Sequence, residues 1–122
     1  MPDQKLISVV DDDKSIRQSL EGLLKSLNFR VAAFSSAESF LGANEATETD
    51  CLILDIRMPR MSGPELKREL MNRKNEVPII FITAHESQDV ISRLLLEGAV
   101  ACLRKPFREE SLLEAIEVAL AP

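Results

Sequence analysis

Short apolar runs alternate with segments of helical periodicity along the whole chain. The runs at residues 6–10, 30–34, 51–54, 79–83 and 100–103 predict five strands. Most of them are apolar throughout rather than alternating, as expected of parallel strands covered on both faces. Residues 30–34 (RVAAF) are the least apolar, which predicts an edge strand. Between the runs, Ile16, Leu20, Leu23, Leu24 and Leu27 recur at helical spacing, with Asn28 as the stop. A shorter helix is predicted from a Ser35-Ser36 cap through Phe40 and Leu41. Gly63-Pro64 opens a third, with Leu66, Leu70 and Met71 facing inward. Val90, Ile91, Leu94 and Leu95 form a fourth, closed by Gly98, and Leu112, Leu113, Ile116 and Leu120 a fifth. Residues 42–49 read as a mobile loop. Five βα units in succession predict an α/β domain with a doubly wound parallel sheet and right-handed crossovers.

Composition adds limits. A chain of 122 residues is expected to be one domain spanning 1–122, large enough to bury a core. With 15 Lys and Arg against 20 Asp and Glu, the formal net charge is -5, which argues against direct nucleic-acid binding by this domain. The two cysteines, Cys51 and Cys102, lie in apolar runs without metal-ligand spacing and are expected to be free thiols. The N-terminal stretch lacks the layout of a signal peptide and no apolar run approaches membrane length, so the expected location is cytoplasmic.

In an open parallel sheet, functional groups collect beyond the carboxyl ends of the strands. Asp11 and Asp12 follow the first predicted strand and Asp55 the third. Thr83 and Ala84 follow the fourth, Lys105 and Pro106 the fifth. Three carboxylates on one edge repel one another, so a cation must offset them. Magnesium, a hard ion that takes oxygen ligands and leaves room for a phosphate oxygen, suits the set. A carboxylate nucleophile, a lysine and a hydroxyl beside such an ion form the apparatus of phosphoryl transfer. Each residue has a plainer reading by itself. Asp13 is most simply the cap of the first helix. Asp11 and Asp12 could be a solvated turn, Asp55 a strand-end residue bonding local backbone, and Lys105 an ordinary surface lysine. His85 reads as a polar loop residue, and Met58 and Met61 as packing residues. The functional reading rests on all the strand-end groups falling on one sheet.

Val9-Val10-Asp11-Asp12, Leu54-Asp55-Ile56-Arg57-Met58-Pro59 with Ser62-Gly63 behind it, Ile82-Thr83-Ala84 and Lys105-Pro106-Phe107 together resemble the signature of response-regulator receiver domains. The wording around Arg57 and Thr83 is most similar to the nitrogen-fixation (FixJ-like) type, whose receivers precede a DNA-binding output domain. The resemblance implies a flavodoxin-like sheet in the order 2-1-3-4-5, two-component signalling, and a sensor histidine kinase as partner. It implies Asp55 as phosphoacceptor, with Lys105 pairing with a phosphoryl oxygen and Thr83 moving to report it. Asp11, Asp12, Asp55 and the backbone carbonyl of Arg57 would hold magnesium, and the Lys105-Pro106 bond would be cis. A phosphorylation-dependent homodimer would form on the face made by the fourth helix, fifth strand and fifth helix of the (βα)5 pattern.

Two features depart from the usual pattern. Cys102 stands where the family has an aromatic switch residue, and it is expected to sit beside Thr83 with a smaller role in switching. Arg57 and His85 occupy positions that vary in the family and modulate phosphoryl lifetime. Arg57 is expected to lie over the phosphoryl group and slow its loss. Two rivals remain, an aspartyl-phosphate-type hydrolase and a receiver-fold scaffold that is never phosphorylated. The hydrolases place the nucleophile after the first strand, and a scaffold would tolerate loss of Asp55 or Lys105. A flavodoxin-like cofactor binder is excluded, because residues 11–13 are acidic where a phosphate-cradling loop would be.

Overall fold

The structure, a computed structural model, describes residues 4–122; residues 1–3, part of the stretch read as lacking a leader, lie outside them. One five-stranded parallel sheet in the order β2-β1-β3-β4-β5 organises the chain. Its strands are β1 (Leu6–Val10), β2 (Arg30–Phe34), β3 (Cys51–Asp55), β4 (Ile79–Thr83) and β5 (Ala101–Arg104). The helices are α1 (Lys14–Ser26), α2 (Ala37–Leu41), α3 (Glu45–Glu48), α4 (Gly63–Asn72), α5 (Gln88–Leu96) and α6 (Glu109–Leu120). Strand β2 is an edge, as its weak apolar character predicts, and β5 is the other.

Alternation along the strands divides the core in two. Val10, Leu52, Leu54, Ile79 and Phe81 point to one face, where Ala37 and Phe40 of α2, Ala46 of α3, Leu66 and Leu70 of α4 and Leu94 of α5 cover them. Ile7, Val9, Cys51, Ile53, Ile80 and Ile82 point to the other, under Leu20 and Leu24 of α1 and Leu112, Ala115 and Ile116 of α6. Strands β1, β3 and β4 are buried along their length, which is why they carry no polar alternation.

The helices start and stop for local reasons. Asp13 caps α1 by accepting from the N–H groups of Ser15 and Ile16 at 2.8 and 3.3 Å. Asn28 follows α1 with φ 71°, a left-handed conformation that asparagine tolerates. Ser62 and Glu65 form a capping box at α4.

Three expectations need correction. Residues 42–49 are not an open loop: they contain α3, tied to the sheet by two hydroxyls. Thr49 Oγ1 donates to the Glu45 carbonyl at 2.6 Å, so Ser8 Oγ must supply the proton of the 2.6 Å Ser8–Thr49 contact. Alanine and short polar residues give little periodicity over one turn, so this helix left no pattern to read. Met71 and Leu95 point outward, 60% and 42% exposed, because α4 and α5 bury only a narrow stripe each. The fifth strand begins one residue later than the apolar run suggests, at Ala101, and its last residue is Arg104. Strand β5 pairs Cys102 with Phe81 and Arg104 with Thr83, so Cys102 is the diagonal neighbour of Thr83 on the adjacent strand.

One contact binds the core to the acidic edge. The N–H of Gly63 donates to the Ile56 carbonyl at 2.9 Å. A side chain at Gly63 would overlap the Asp55 carbonyl oxygen and come within 3.1 Å of both the Ile56 Cα and the Phe81 ring. The start of α4 therefore presses on the end of β3, with glycine as the residue that fits. Gly63→Ala is expected to destabilise the fold by roughly 1–3 kcal/mol in urea denaturation, the range for overpacking. Gly22, inside α1, has open space around its Cα, so Gly22→Ala should stabilise by about 0.5–1 kcal/mol. Equal behaviour of the two variants would refute the close-packing account.

Candidate functional site: an acidic pocket at the carboxyl edge of the sheet

The chain order places β1 and β3 side by side at the centre of the sheet, with β4 and β5 following. Asp11 continues β1, extending it by donating its N–H to the Phe34 carbonyl at 3.1 Å, and Asp55 ends β3. One carboxylate oxygen from each of Asp11, Asp12 and Asp55 lies within 4.8 Å of the others. Asp11 and Asp55 are buried, whereas Asp12 faces solvent.

The Asp11 carboxylate is held at both oxygens. Oδ1 accepts the Asp13 N–H at 2.9 Å, and Oδ2 accepts from Lys105 Nζ at 2.9 Å. Lys105 is delivered by the end of β5, where its N–H donates to the Thr83 carbonyl at 2.7 Å. Its ammonium also stands 3.8 Å from Asp55 Oδ2, so it is shared unequally between the two buried carboxylates. The Lys105–Pro106 peptide is cis, as the resemblance implies. Thr83 is buried at the end of β4, while Ala84 and His85 are exposed in the loop beyond it.

Asp55 carries the electrostatic strain of this arrangement. Burial pushes its carboxyl up to about 7, and the Asp11 charge pushes in the same direction; Lys105 opposes them, Asp12 adds to the rise, and the Arg57 backbone N–H lowers it. Burial alone pushes the Cys102 thiol up to about 11, and burial with the nearby Asp50 charge pushes Cys51 up to about 12. Neither cysteine is a thiolate near neutral pH.

The side chain of Arg57 does not lie over Asp55. Its guanidinium forks onto Glu86, with Nε 2.7 Å from Oε2 and Nη2 3.3 Å from Oε1. Three groups around the pocket were not singled out from the sequence. Glu86 sits 29 positions from Arg57, and no spacing rule connects them. Arg104 donates from Nη1 to the Glu86 carbonyl at 2.8 Å, and Arg17 from Nη1 to the Asp11 carbonyl at 2.8 Å. Only for Arg17, one turn beyond the Asp13 cap, could helical spacing have suggested a position near the pocket.

Comparison with known proteins agrees with this geometry. The family described as "Response regulator receiver domain" matches residues 7–117. The chain belongs to that family. Its relatives include the response regulator protein TmoT of Ectopseudomonas mendocina, 43% identical over 98% of this chain and 55% of TmoT. The transcriptional regulatory protein FixJ of Azorhizobium caulinodans is 34% identical over 98% of this chain and 57% of FixJ. The crystal structure of FixJ-N superposes with a TM-score of 0.86 at 38% identity, covering 98% of this receiver and 95% of that chain. The receiver therefore resembles the FixJ type, as its motifs imply, and is more similar across its length to TmoT. It spans about half the length of these curated relatives. Among the described residues, no helix is long and apolar enough to cross a membrane.

The raised pKa of Asp55 has a measurable consequence for the metal-free receiver. An ordinary aspartate titrates near 3.8, and folded Asp55 near 7. Between those values the folded state keeps a proton that the unfolded chain has released. This group therefore stabilises the fold in acid, and the contribution is lost as pH rises through about 7. In chelator at pH 8, Asp55→Asn should be more stable than wild type by roughly 1–3 kcal/mol, a few degrees in Tm. The gap should shrink toward pH 5. Thermal melts at both pH values check this, and a gap independent of pH would refute it.

Proposed function

We propose that Asp55 accepts a phosphoryl group from a phosphohistidine of a sensor histidine kinase, and that the receiver changes conformation in response. The observation that carries the reading is the approach of three carboxylate oxygens to within 4.8 Å of one another, beside a lysine ammonium 3.8 Å from Asp55. Such a donor set fits magnesium, a hard cation that prefers carboxylate, carbonyl and water oxygens. Asp11, Asp12, Asp55 and the backbone carbonyl of Arg57 are the ligands we assign to it. When bound, the ion supplies positive charge that offsets both the carboxylates and the oxygens of the transferring group.

In the transfer, an Asp55 oxygen attacks phosphorus as the bond from phosphorus to the kinase imidazole nitrogen breaks, and the electron pair of that bond leaves with the imidazole. Lys105 is close enough to Asp55 to turn from Asp11 toward a phosphoryl oxygen without moving its backbone. The Thr83 hydroxyl, two strands from Asp11 and one from Asp55, is the donor assigned to the same group. Its movement, with that of Ala84 and the loop carrying His85, is the conformational signal, and Cys102 contributes less than an aromatic would. Attack of water on phosphorus returns the carboxylate, so the chemistry is confined to the receiver's own phosphorylation and dephosphorylation.

By analogy with its relatives, the receiver serves in the cytoplasm beside a C-terminal DNA-binding output domain in a longer chain. Phosphorylation would favour a homodimer through α5, β5 and α6. The net charge of -5 supports leaving DNA contact to the output domain.

Incubation with acetyl phosphate and magnesium should raise the intact mass by one phosphoryl group, with no change in chelator. The group should map to Asp55 and be absent from Asp55→Asn. Label that persists in that variant, or that forms equally without magnesium, would overturn the assignment.

A further inference from the structure

The Arg57–Glu86 pair spans the mouth of the pocket, from the loop after β3 to the loop after β4. Its two halves differ in environment. The Arg57 side chain is 73% exposed, whereas that of Glu86 is only 7% exposed. Glu86 is also located through its backbone, because Arg104 holds its carbonyl at 2.8 Å from the end of β5. A largely covered carboxylate therefore holds an exposed guanidinium in a forked, charge-assisted contact. The partner shifts agree: Arg57 draws the Glu86 carboxyl below its ordinary range, and Glu86 raises the guanidinium in turn. The groups whose charges bear on Asp55 are Asp11, Lys105 and Asp12, with Arg57 acting only through its backbone N–H.

Resting on the reading of Asp55 as acceptor, we propose that Glu86 is a positioning residue that sets the lifetime of the phosphorylated state by withholding the Arg57 guanidinium from the phosphoryl group. Arg57 follows the acceptor by two residues and has the reach to fold over it. Over the phosphoryl group, it would pair with the phosphoryl oxygens and obstruct the in-line approach of water. Parked on Glu86, it leaves that approach open. The forked contact and the phosphoryl group thus compete for one guanidinium, and the covered, backbone-anchored carboxylate biases the competition toward the open arrangement. The same contact ties the loop after β4 to the loop after β3, so capture of Arg57 by a phosphoryl group also releases one restraint on the segment that follows Thr83.

The test is first-order decay of phosphoryl label, followed on receiver loaded from acetyl phosphate and magnesium, then freed of donor. Glu86→Gln keeps the size of the side chain and removes its charge, and should slow decay by roughly two- to fivefold, the range of a partly exposed ion pair. Glu86→Asp, which keeps the charge, should restore part of the wild-type rate. In an Arg57→Ala background the Glu86 substitutions should no longer alter the rate, a non-additivity that general loosening of the loop would not produce. Decay of Glu86→Gln at the wild-type rate or faster, or a Glu86 effect that survives in Arg57→Ala, overturns the proposal while leaving Asp55 as acceptor. Failure of wild type to label at Asp55 overturns both.

Discussion

Two buried carboxylates and one lysine stand at the centre of this molecule's electrostatics. Asp11 has no exposed surface and Asp55 very little, so each loses hydration that an ionised carboxylate would keep in water. Lys105 reaches both, at 2.9 and 3.8 Å, and one ammonium cannot neutralise two buried charges and a third at the rim. Burial, and after it the Asp11 charge, push the Asp55 carboxyl up to about 7. A cation relieves such an imbalance, whereas a phosphoryl group adds negative charge and deepens the need for one. The chemistry of the site follows from an arrangement that is incompletely compensated by itself.

The sheet holds those groups together against their repulsion. Strands β1, β3 and β4 are covered on both faces, so their ends cannot splay without exposing the core. The capping box and Gly63 fix the start of α4 directly against the Asp55 backbone. The Asp13 cap performs a second task, because its own N–H fixes one oxygen of the buried Asp11 carboxylate. Local elements that begin helices are thus also the supports of the pocket, and the pocket inherits their rigidity.

The loops above the pocket are tied differently. There the contacts are long polar side chains, Arg57 to Glu86 and Arg104 to the Glu86 carbonyl, over exposed segments. Contacts of this kind exchange partners at small free-energy difference, whereas packed core residues do not. The edge of the sheet is thus rigid and the loops above it exchangeable: Asp55 stays in place, and what surrounds it can rearrange.

Much of this was determined by the sequence alone. Continuous apolar runs specify strands buried on both faces, helical spacing specifies the crossovers, and the parallel sheet sends Asp11, Asp12, Asp55, Thr83 and Lys105 to one edge. These are consequences of short-range periodicity and of chirality, which a linear pattern carries. The one-turn helix α3 escaped because four residues hold too little periodicity. Met71 and Leu95 were read as core because spacing identifies a face but not its width. The register that sets Cys102 opposite Phe81, the closeness of Gly63 to the Asp55 carbonyl, and the partner of Arg57 were decided by tertiary structure. Each depends on the distance between segments far apart in the chain, and a flexible, charged side chain such as Arg57 takes whichever acceptor the folded loops bring within its reach.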